Sequence, residues 1–182
     1  MLFPISPAAA LVSVCALSPC ASAATPDWKE APALAADPAQ IQAAFAKVPA
    51  HEGFPVSELL EDSHFSVDAT GKRSSRYRYI FRIDQASAIE SWSTVTMGWT
   101  SWFEEKPSIQ ARVITPDGRE HRLDPATIGE FSPEQNNPEL FTDHRQLKAP
   151  LPRLEKGAIV EVEIKTQEHR RWRPFPVGAG EP

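Results

Sequence analysis

Two carboxylates in the segment Ala158–Lys165 are candidates for a catalytic acid-base pair. Glu161 and Glu163 lie on the same face of this segment, because its apolar and polar residues alternate as in a strand. Glycoside hydrolysis needs a pair of carboxylates, but those two groups flank the scissile bond from opposite sides. Neighbours on one strand do not have that geometry, and Lys165 continues the same face. The pattern therefore favours a solvated sheet surface over a catalytic pair.

The histidines form no recognisable metal or nucleophile motif. None of them has HExxH or H-x-H spacing, so a metal site would have to be assembled in space. Asp143-His144 could begin a catalytic triad, but the sequence has no serine in a G-x-S-x-G elbow. We therefore expect no catalytic residue, cofactor or metal, and expect Asp143 and Arg145 to stabilise a loop. The histidines are His51, His64, His121, His144 and His169.

Tryptophan and arginine side chains provide a candidate ligand or docking surface. Flat tryptophan faces can stack on a sugar or peptide at little entropic cost. Trp99 and Trp102 would face opposite sides of one strand. Trp172 lies in a strongly basic cluster with Arg170 and Arg171, where an acidic surface or a neighbouring domain could dock. The alternatives are buried core tryptophans and a solvated strand end.

The first 23 residues are typical of a secretory signal peptide. They contain no charged side chain and end in Ala-Ser-Ala, a small-x-small cleavage pattern. We expect cleavage near Ala23 and a periplasmic or extracellular location. A lipoprotein processing box is the alternative at Cys20, but the preceding proline disfavours it. Both cysteines, Cys15 and Cys20, lie in this leader, so the mature chain would have no disulfide and no thiol nucleophile.

Length and composition indicate one globular domain. The chain has 182 residues, of which 41% are hydrophobic and 24% charged. The formal net charge of -5 argues against a nucleic-acid partner, which requires a cationic surface. Beyond the leader, no apolar run approaches the ~20 residues needed to cross a bilayer.

Residues 24–54 are predicted to be an N-terminal linker with one short helix. Residues 24–36 are rich in alanine and proline and are expected to be loose. Asp37 offers an N-cap, Pro38 suits the first helical position, and Pro49 ends the apolar repeat.

Two hairpins are specified by their turns. Thr115-Pro116-Asp117-Gly118 closes the first, and its three-residue loop places Val113 opposite His121 and Arg112 opposite Arg122. Glu120 lies close enough to offset that like-charge pair. The second hairpin spans Val56–Asp84. Its turn at residues 68–72 places Glu58 opposite Arg82, Leu60 opposite Ile80 and Asp62 opposite Arg78.

The faces of this second hairpin are predicted to differ. One is apolar throughout, and Arg76, Arg78 and Arg82 on the other are expected to be paired and solvated. The apolar face comprises Leu59, Phe65, Val67, Tyr77, Tyr79, Phe81 and Ile83.

Further strands complete the predicted architecture. They occupy residues 91–103, with Val95, Met97 and Trp99 on one face, residues 145–151, and residues 158–165. Residues 124–137 are predicted to be a loop with a helical turn. We expect a mainly β protein, a two-layer antiparallel β-sandwich over residues 55–182 with one short N-terminal helix.

Several of these segments together resemble a known family. The turn at residues 68–72, the segments 106–118 and 142–145, and the segment 151–161 are similar to domain of unknown function 3857. That resemblance covers residues 55–180. It implies an exported bacterial β-sandwich with no assigned catalytic residues, which usually precedes a transglutaminase-like domain carrying a Cys-His-Asp constellation.

Two functional hypotheses follow, the first from the resemblance and the second from the tryptophan side chains. The first is a non-catalytic exported module that accompanies or positions a transglutaminase-like domain, in cis or in trans. The second is an envelope module that binds a glycan or peptide through exposed tryptophans. The sequence ends at Pro182, before such a domain, and either a natural end or a truncation fits this position. If the last strands expected of the sandwich are missing, an unpaired sheet edge is expected.

Overall fold

Two antiparallel sheets form the computed structural model of the protein, which describes residues 28–132 and 143–170. Within these ranges lie helices α1 (Pro38–Phe45) and α2 (Ala88–Trp92) and a 3₁₀ helix at Pro125–Thr127. The strands are β1 (Val56–Val67), β2 (Arg73–Ile83), β3 (Thr94–Thr100), β4 (Ser108–Ile114), β5 (Glu120–Arg122), β6 (Gly129–Phe131), β7 (His144–Pro150) and β8 (Ile159–Gln167).

The strands are divided unequally between the sheets. Sheet A has the order β1-β2-β8-β4-β5, and sheet B has the order β3-β7-β6. This arrangement confirms the predicted mainly β, two-layer antiparallel fold. None of the helices among the described residues has the length and apolar character needed to cross a membrane.

The hairpin of β4 and β5 has the predicted register. Val113 lies opposite His121 and Arg112 opposite Arg122. Gly118 adopts φ 85°, the left-handed conformation that this turn requires. Glu120 accepts hydrogen bonds from both arginines, at 2.7 Å from Arg112 Nη1 and 2.5 Å from Arg122 Nε, and so offsets the like charges.

The hairpin of β1 and β2 has the predicted register only beyond a β-bulge. Leu60 lies opposite Ile80 and Asp62 opposite Arg78, as expected. An irregularity between Glu58 and Leu60 shifts the pairing of residues 56–58 by one residue, so Glu58 faces Phe81 instead of Arg82. The turn alone could not predict this shift. Leu59 consequently packs against the outer cluster of sheet A and not with the inner apolar face.

The segment 91–103 is not one strand. Helix α2 ends at Trp92, and β3 covers only Thr94–Thr100. Val95 and Trp99 are buried in the core and Met97 packs against it, so the predicted face is correct. The short strand β6 was not predicted, whereas the predicted helical turn is present as the 3₁₀ helix.

The main core lies between the two sheets, and a second apolar cluster lies on the outer face of sheet A. Ile80, Ile114 and Ile159 of the sheet pack there against Ile41 and Phe45 of α1. The expectation that residues 24–36 are loose is wrong for residues 28–36, in which Ala31, Leu34 and Ala36 are buried. Residues 24–27 lie outside the described residues.

Candidate functional site: an uncovered aromatic face and a buried ion cluster

The inner face of β1 and β2 extends beyond the cover that sheet B provides. Phe65 and Val67 on β1 are 64% and 66% exposed, although they belong to the predicted apolar face. Tyr77 and Tyr79 continue this surface on β2 and are only partly buried. Exposed apolar side chains in a contiguous patch are typical of an interaction surface. We call Phe65, Val67, Tyr77, Tyr79 and Trp92 the aromatic face.

Ring contacts organise the aromatic face. The rings of Phe65 and Tyr77 meet edge to face with centroids 5.3 Å apart. Phe81 connects the surface to the core, with its ring centroid 5.8 Å from Tyr79 and 4.8 Å from Trp92. Burial raises the pKa of Tyr79 to about 12, because its ionised form would lose hydration. The rings hold one another in place, so the surface is preformed.

A groove of about 260 Å³ runs between the aromatic face and β3. Tyr79, Phe81 and Trp92 line it on one side, and Thr94 and Thr96 line it on the other. Among the described residues, β3 pairs only with β7, so its second edge faces this groove without a strand beside it. An extended chain could pair with that edge and lie over the rings.

The outer face of sheet A contains a buried ion cluster. Glu161 is fully buried at the centre, on β8 between β2 and β4. Its Oε1 accepts from Arg78 Nε at 2.9 Å and its Oε2 accepts from Arg112 Nε at 2.7 Å. Leu34 N–H also donates to Oε1 at 3.0 Å. These contacts satisfy both carboxylate oxygens, as a buried charge requires.

The expectation of a solvated face at Glu161 and Glu163 is therefore wrong. Both side chains are buried, and Glu163 pairs with Lys165 Nζ at 2.7 Å. Arg78 is buried as well, whereas Arg76 forms a surface pair with Asp62 at 2.7 Å. The solvated-face prediction fails because residues 28–48 cover this side of the sheet. Arg112 and Glu161 are direct partners on the adjacent strands β4 and β8. A prediction that these two strands pair would have indicated this contact.

The predicted docking residues do not form one site. Trp99 is 5% exposed within the core, whereas Trp102 is 47% exposed. Arg170 is exposed, and its N–H donates to the Phe103 carbonyl at 3.3 Å, which brings residues 102–103 and 169–170 together. The two other candidates, Arg171 and Trp172, lie outside the described residues.

Hydrogen bonds join Asp143 and Arg145, the residues on either side of His144, to neighbouring segments. The hydroxyl of Ser101 donates to the main-chain carbonyl of Asp143 at 3.0 Å, and Arg145 Nη1 donates to Ser132 at 3.1 Å. The loop that precedes β7 lies largely outside the described residues, so the role of Asp143 and Arg145 in stabilising it stays a prediction. Across residues 28–132 and 143–170, no three His, Cys, Asp or Glu side chains are grouped so that they could hold a metal ion.

Comparisons with known structures show the fold. One match is the crystal structure of a proposed protease from Parabacteroides distasonis ATCC 8503, with a TM-score of 0.60 and 13% identity. The match covers 66% of this chain but 24% of that protein, so the chain spans about a quarter of its length. The CBM3a-L domain of the scaffoldin CipA from Clostridium thermocellum matches over 63% of this chain and 68% of that chain at 11% identity. Its TM-score of 0.31 is too low to bear on the fold.

Comparisons of sequence show the family. No curated protein matches the sequence. The model of a family described as a domain of unknown function with solved structure, DUF3857, matches residues 69–178, which is more than half of the chain. The chain therefore belongs to the DUF3857 family.

Proposed function

We propose that this chain is a non-catalytic exported module that positions a transglutaminase-like domain by docking it on the aromatic face. The observation that carries the proposal is the exposure of Phe65 and Val67 on a sheet face whose continuation forms the core. Leaving large apolar side chains in water costs free energy that a partner would recover, at roughly 25 cal/mol per Å² of apolar surface covered. The identity of the partner rests on the family resemblance.

The edge of β3 that has no neighbouring strand among the described residues supports a partner that contributes an extended segment. A strand added beside β3 would lie over the groove and bring its inward side chains onto Tyr79 and Trp92. Main-chain pairing would fix the register, and the rings would provide the buried area. Such docking would hold the neighbouring domain in a defined orientation.

A non-catalytic role is supported by the state of Glu161. Its carboxylate is covered, and both oxygens are occupied by guanidinium groups, so it cannot reach a substrate. Turnover by the purified chain that disappears in Glu161→Gln or His144→Ala would contradict this part of the proposal.

Export is proposed from the leader alone. Cleavage near Ala23 would remove both cysteines and leave the segment from Trp28 onward in place on sheet A. A native protein that retains residues 1–23 would contradict cleavage.

Calorimetric titration with the transglutaminase-like domain encoded in the same or an adjacent gene tests the docking. Phe65→Asp should weaken binding at least tenfold, because it places a charge within the aromatic face. The matched control is Phe54→Asp, since Phe54 is equally exposed at 65% but lies outside the aromatic face. Equal affinities for the two variants, or no binding by the unaltered chain, would contradict the proposal.

Glycan or peptide binding through tryptophan is the second candidate, and the exposure of Trp102 favours it. Its ring stands 4.8 Å from that of Phe103, next to Arg170. Quenching of tryptophan fluorescence by an envelope glycan or peptide that is lost in Trp102→Ala would support this function. A flat response across such ligands would count against it.

A further inference from the structure

Residues 28–48 lie across the outer face of sheet A, and we call them the covering segment. Its main-chain carbonyls are held by arginine side chains of the sheet. Arg78 donates to Trp28, Lys29 and Ala31, Arg122 to Leu34, Arg112 to Ala36, and Arg82 to Phe45 and Val48, at distances of 2.8 to 3.3 Å. The sheet therefore recognises the main chain of this segment more than its side chains.

Two apolar side chains of the covering segment serve as anchors. Ile41 and Phe45, on one side of α1, are buried against the outer isoleucines of sheet A. The guanidinium carbon of Arg82 also lies 5.3 Å from the centroid of the Phe45 ring. Asp37 starts this helix by accepting from Ala39 N–H at 2.9 Å. The segment therefore resembles a peptide ligand with a short helical anchor.

The face beneath the covering segment is compatible with water. Arg78, Arg112 and Glu161 pair with one another through contacts that do not involve the segment. If the segment left, these charges would regain hydration, which a purely apolar core could not do. Lost carbonyl contacts would thus be replaced by hydrogen bonds to water. Departure of the segment would, however, also expose Ile80, Ile114 and Ile159, so the apolar part of this face calls for a replacement segment.

An exposed tether joins the covering segment to β1. Each residue from Pro49 to Pro55 is exposed, and Gly53 adopts φ 90° with open space around it. A stretch of this length can span roughly 25 Å when extended, at about 3.3 to 3.6 Å per residue. The segment could therefore move away from its own sheet while the sandwich stays intact.

We infer that the outer face of sheet A is a peptide-binding surface, and that the covering segment of a second copy of this chain can occupy it in place of the chain's own. The identical segment would restore each of the carbonyl contacts and both anchors. A second copy of the chain therefore carries a segment that fits this surface without change. Exchange of the segment would join two copies through an otherwise unchanged interface.

Exchange with a peptide tests the surface. A protease site is inserted between Glu52 and Gly53 of the full chain, the tether is cut, and a fluorescent peptide of residues 24–52 is added in fiftyfold excess. The label should enter the folded protein, whereas the same peptide carrying Phe45→Ala should enter at least tenfold less. Exclusion of the label, or unfolding of the sandwich when its own segment leaves, would overturn the inference.

Shortening the tether tests the second copy. Deletion of residues 50–53 shortens the tether to Pro49, Phe54 and Pro55, which should favour binding of the segment to a second copy and should double the mass measured by light scattering. Mixing two tagged preparations should then yield mixed pairs. The control retains the tether length and carries His51→Ala with Glu52→Ala, and should show the mass of the unaltered chain. A folded monomer, or an unfolded chain, from the deletion variant would overturn the inference.

Discussion

Arg112 and Glu161 lie directly opposite each other on β4 and β8, both buried, with Arg112 Nη2 2.6 Å from Glu161 Oε2. Arg78 pairs with the second oxygen from the other neighbouring strand at 2.8 Å. The same two guanidinium groups donate to carbonyls of the covering segment. One carboxylate therefore links three central strands to the segment that covers them.

Glu161→Gln should destabilise the protein by about 3 to 5 kcal/mol, because it removes the counter-ion of the buried Arg78 and one of the two carboxylates that pair with the buried Arg112. Urea unfolding measures the effect. The control is Glu130→Gln on the surface pair with Lys106, 3.1 Å long, which should cost less than about 1 kcal/mol. Equal losses in the two variants would mean that the cluster does not stabilise the fold.

Phe45→Ala should cost about 3 to 5 kcal/mol, since it removes a buried ring from the outer cluster. Phe54→Ala removes an exposed ring from the tether and should change the free energy of unfolding by no more than about 0.5 kcal/mol. Denaturant midpoints compare the two variants. A mild effect of Phe45→Ala on the unfolding midpoint would show that α1 contributes little to global stability.

Stability should fall in acid partly through Glu120. Burial raises the pKa of its carboxyl, but hydrogen bonds and charges from Arg112 and Arg122 outweigh burial and leave the pKa below the usual value of 4.5. A depressed folded-state pKa contributes stability that is present above the unfolded-state value and is lost as pH falls through the folded-state value. Unfolding free energies measured from pH 6 to pH 3 should therefore decline, and less steeply in Glu120→Gln. Parallel declines would contradict this assignment.

Tyr79 should affect the free energy of unfolding at alkaline pH. Its pKa of about 12, raised by burial above the ordinary 10.0, means that the unfolded chain ionises first. The stability contribution is therefore present below pH 10.0 and is lost as pH rises toward 12. Phenolate absorbance of the folded protein should show this late titration, and Tyr79→Phe should abolish it. Titration of Tyr79 near its ordinary pKa would show that the ring is more hydrated than its position on the aromatic face indicates.

The fold could be predicted where local chemistry decides it. The turns at residues 68–72 and 115–118 fix the registers of their hairpins, and Asp37-Pro38 fixes the start of α1. The bulge before Leu60 could not be predicted, because no glycine or proline marks it. Nor could the packing of residues 28–36 be predicted. Arginine side chains of the sheet donate hydrogen bonds to the main-chain carbonyls of this stretch, and such contacts leave no pattern in its side chains.

The candidate site was only partly accessible from sequence. The apolar face of β1 and β2 was predicted from alternation, but its exposure depends on how many strands sheet B contributes. The residue type makes Trp99 a candidate for a docking surface, but its side chain on β3 points into the core. Predicting the burial of Glu161 requires the knowledge that β8 lies between β2 and β4. That strand order is a property of the sheet topology and not of the local sequence.

Site-specific photo-crosslinking in the cells that make the protein tests whether the aromatic face contacts a transglutaminase-like domain. A benzophenone side chain replaces Phe65 on the aromatic face or, as the control, Phe54 on the tether, and crosslinked peptides are identified by mass spectrometry. Position 65 should crosslink to a transglutaminase-like domain, within a longer polypeptide or on a separate one, and position 54 should not. Crosslinks from position 65 that contain no such domain, or identical crosslinks from both positions, would contradict the proposal that this face positions it.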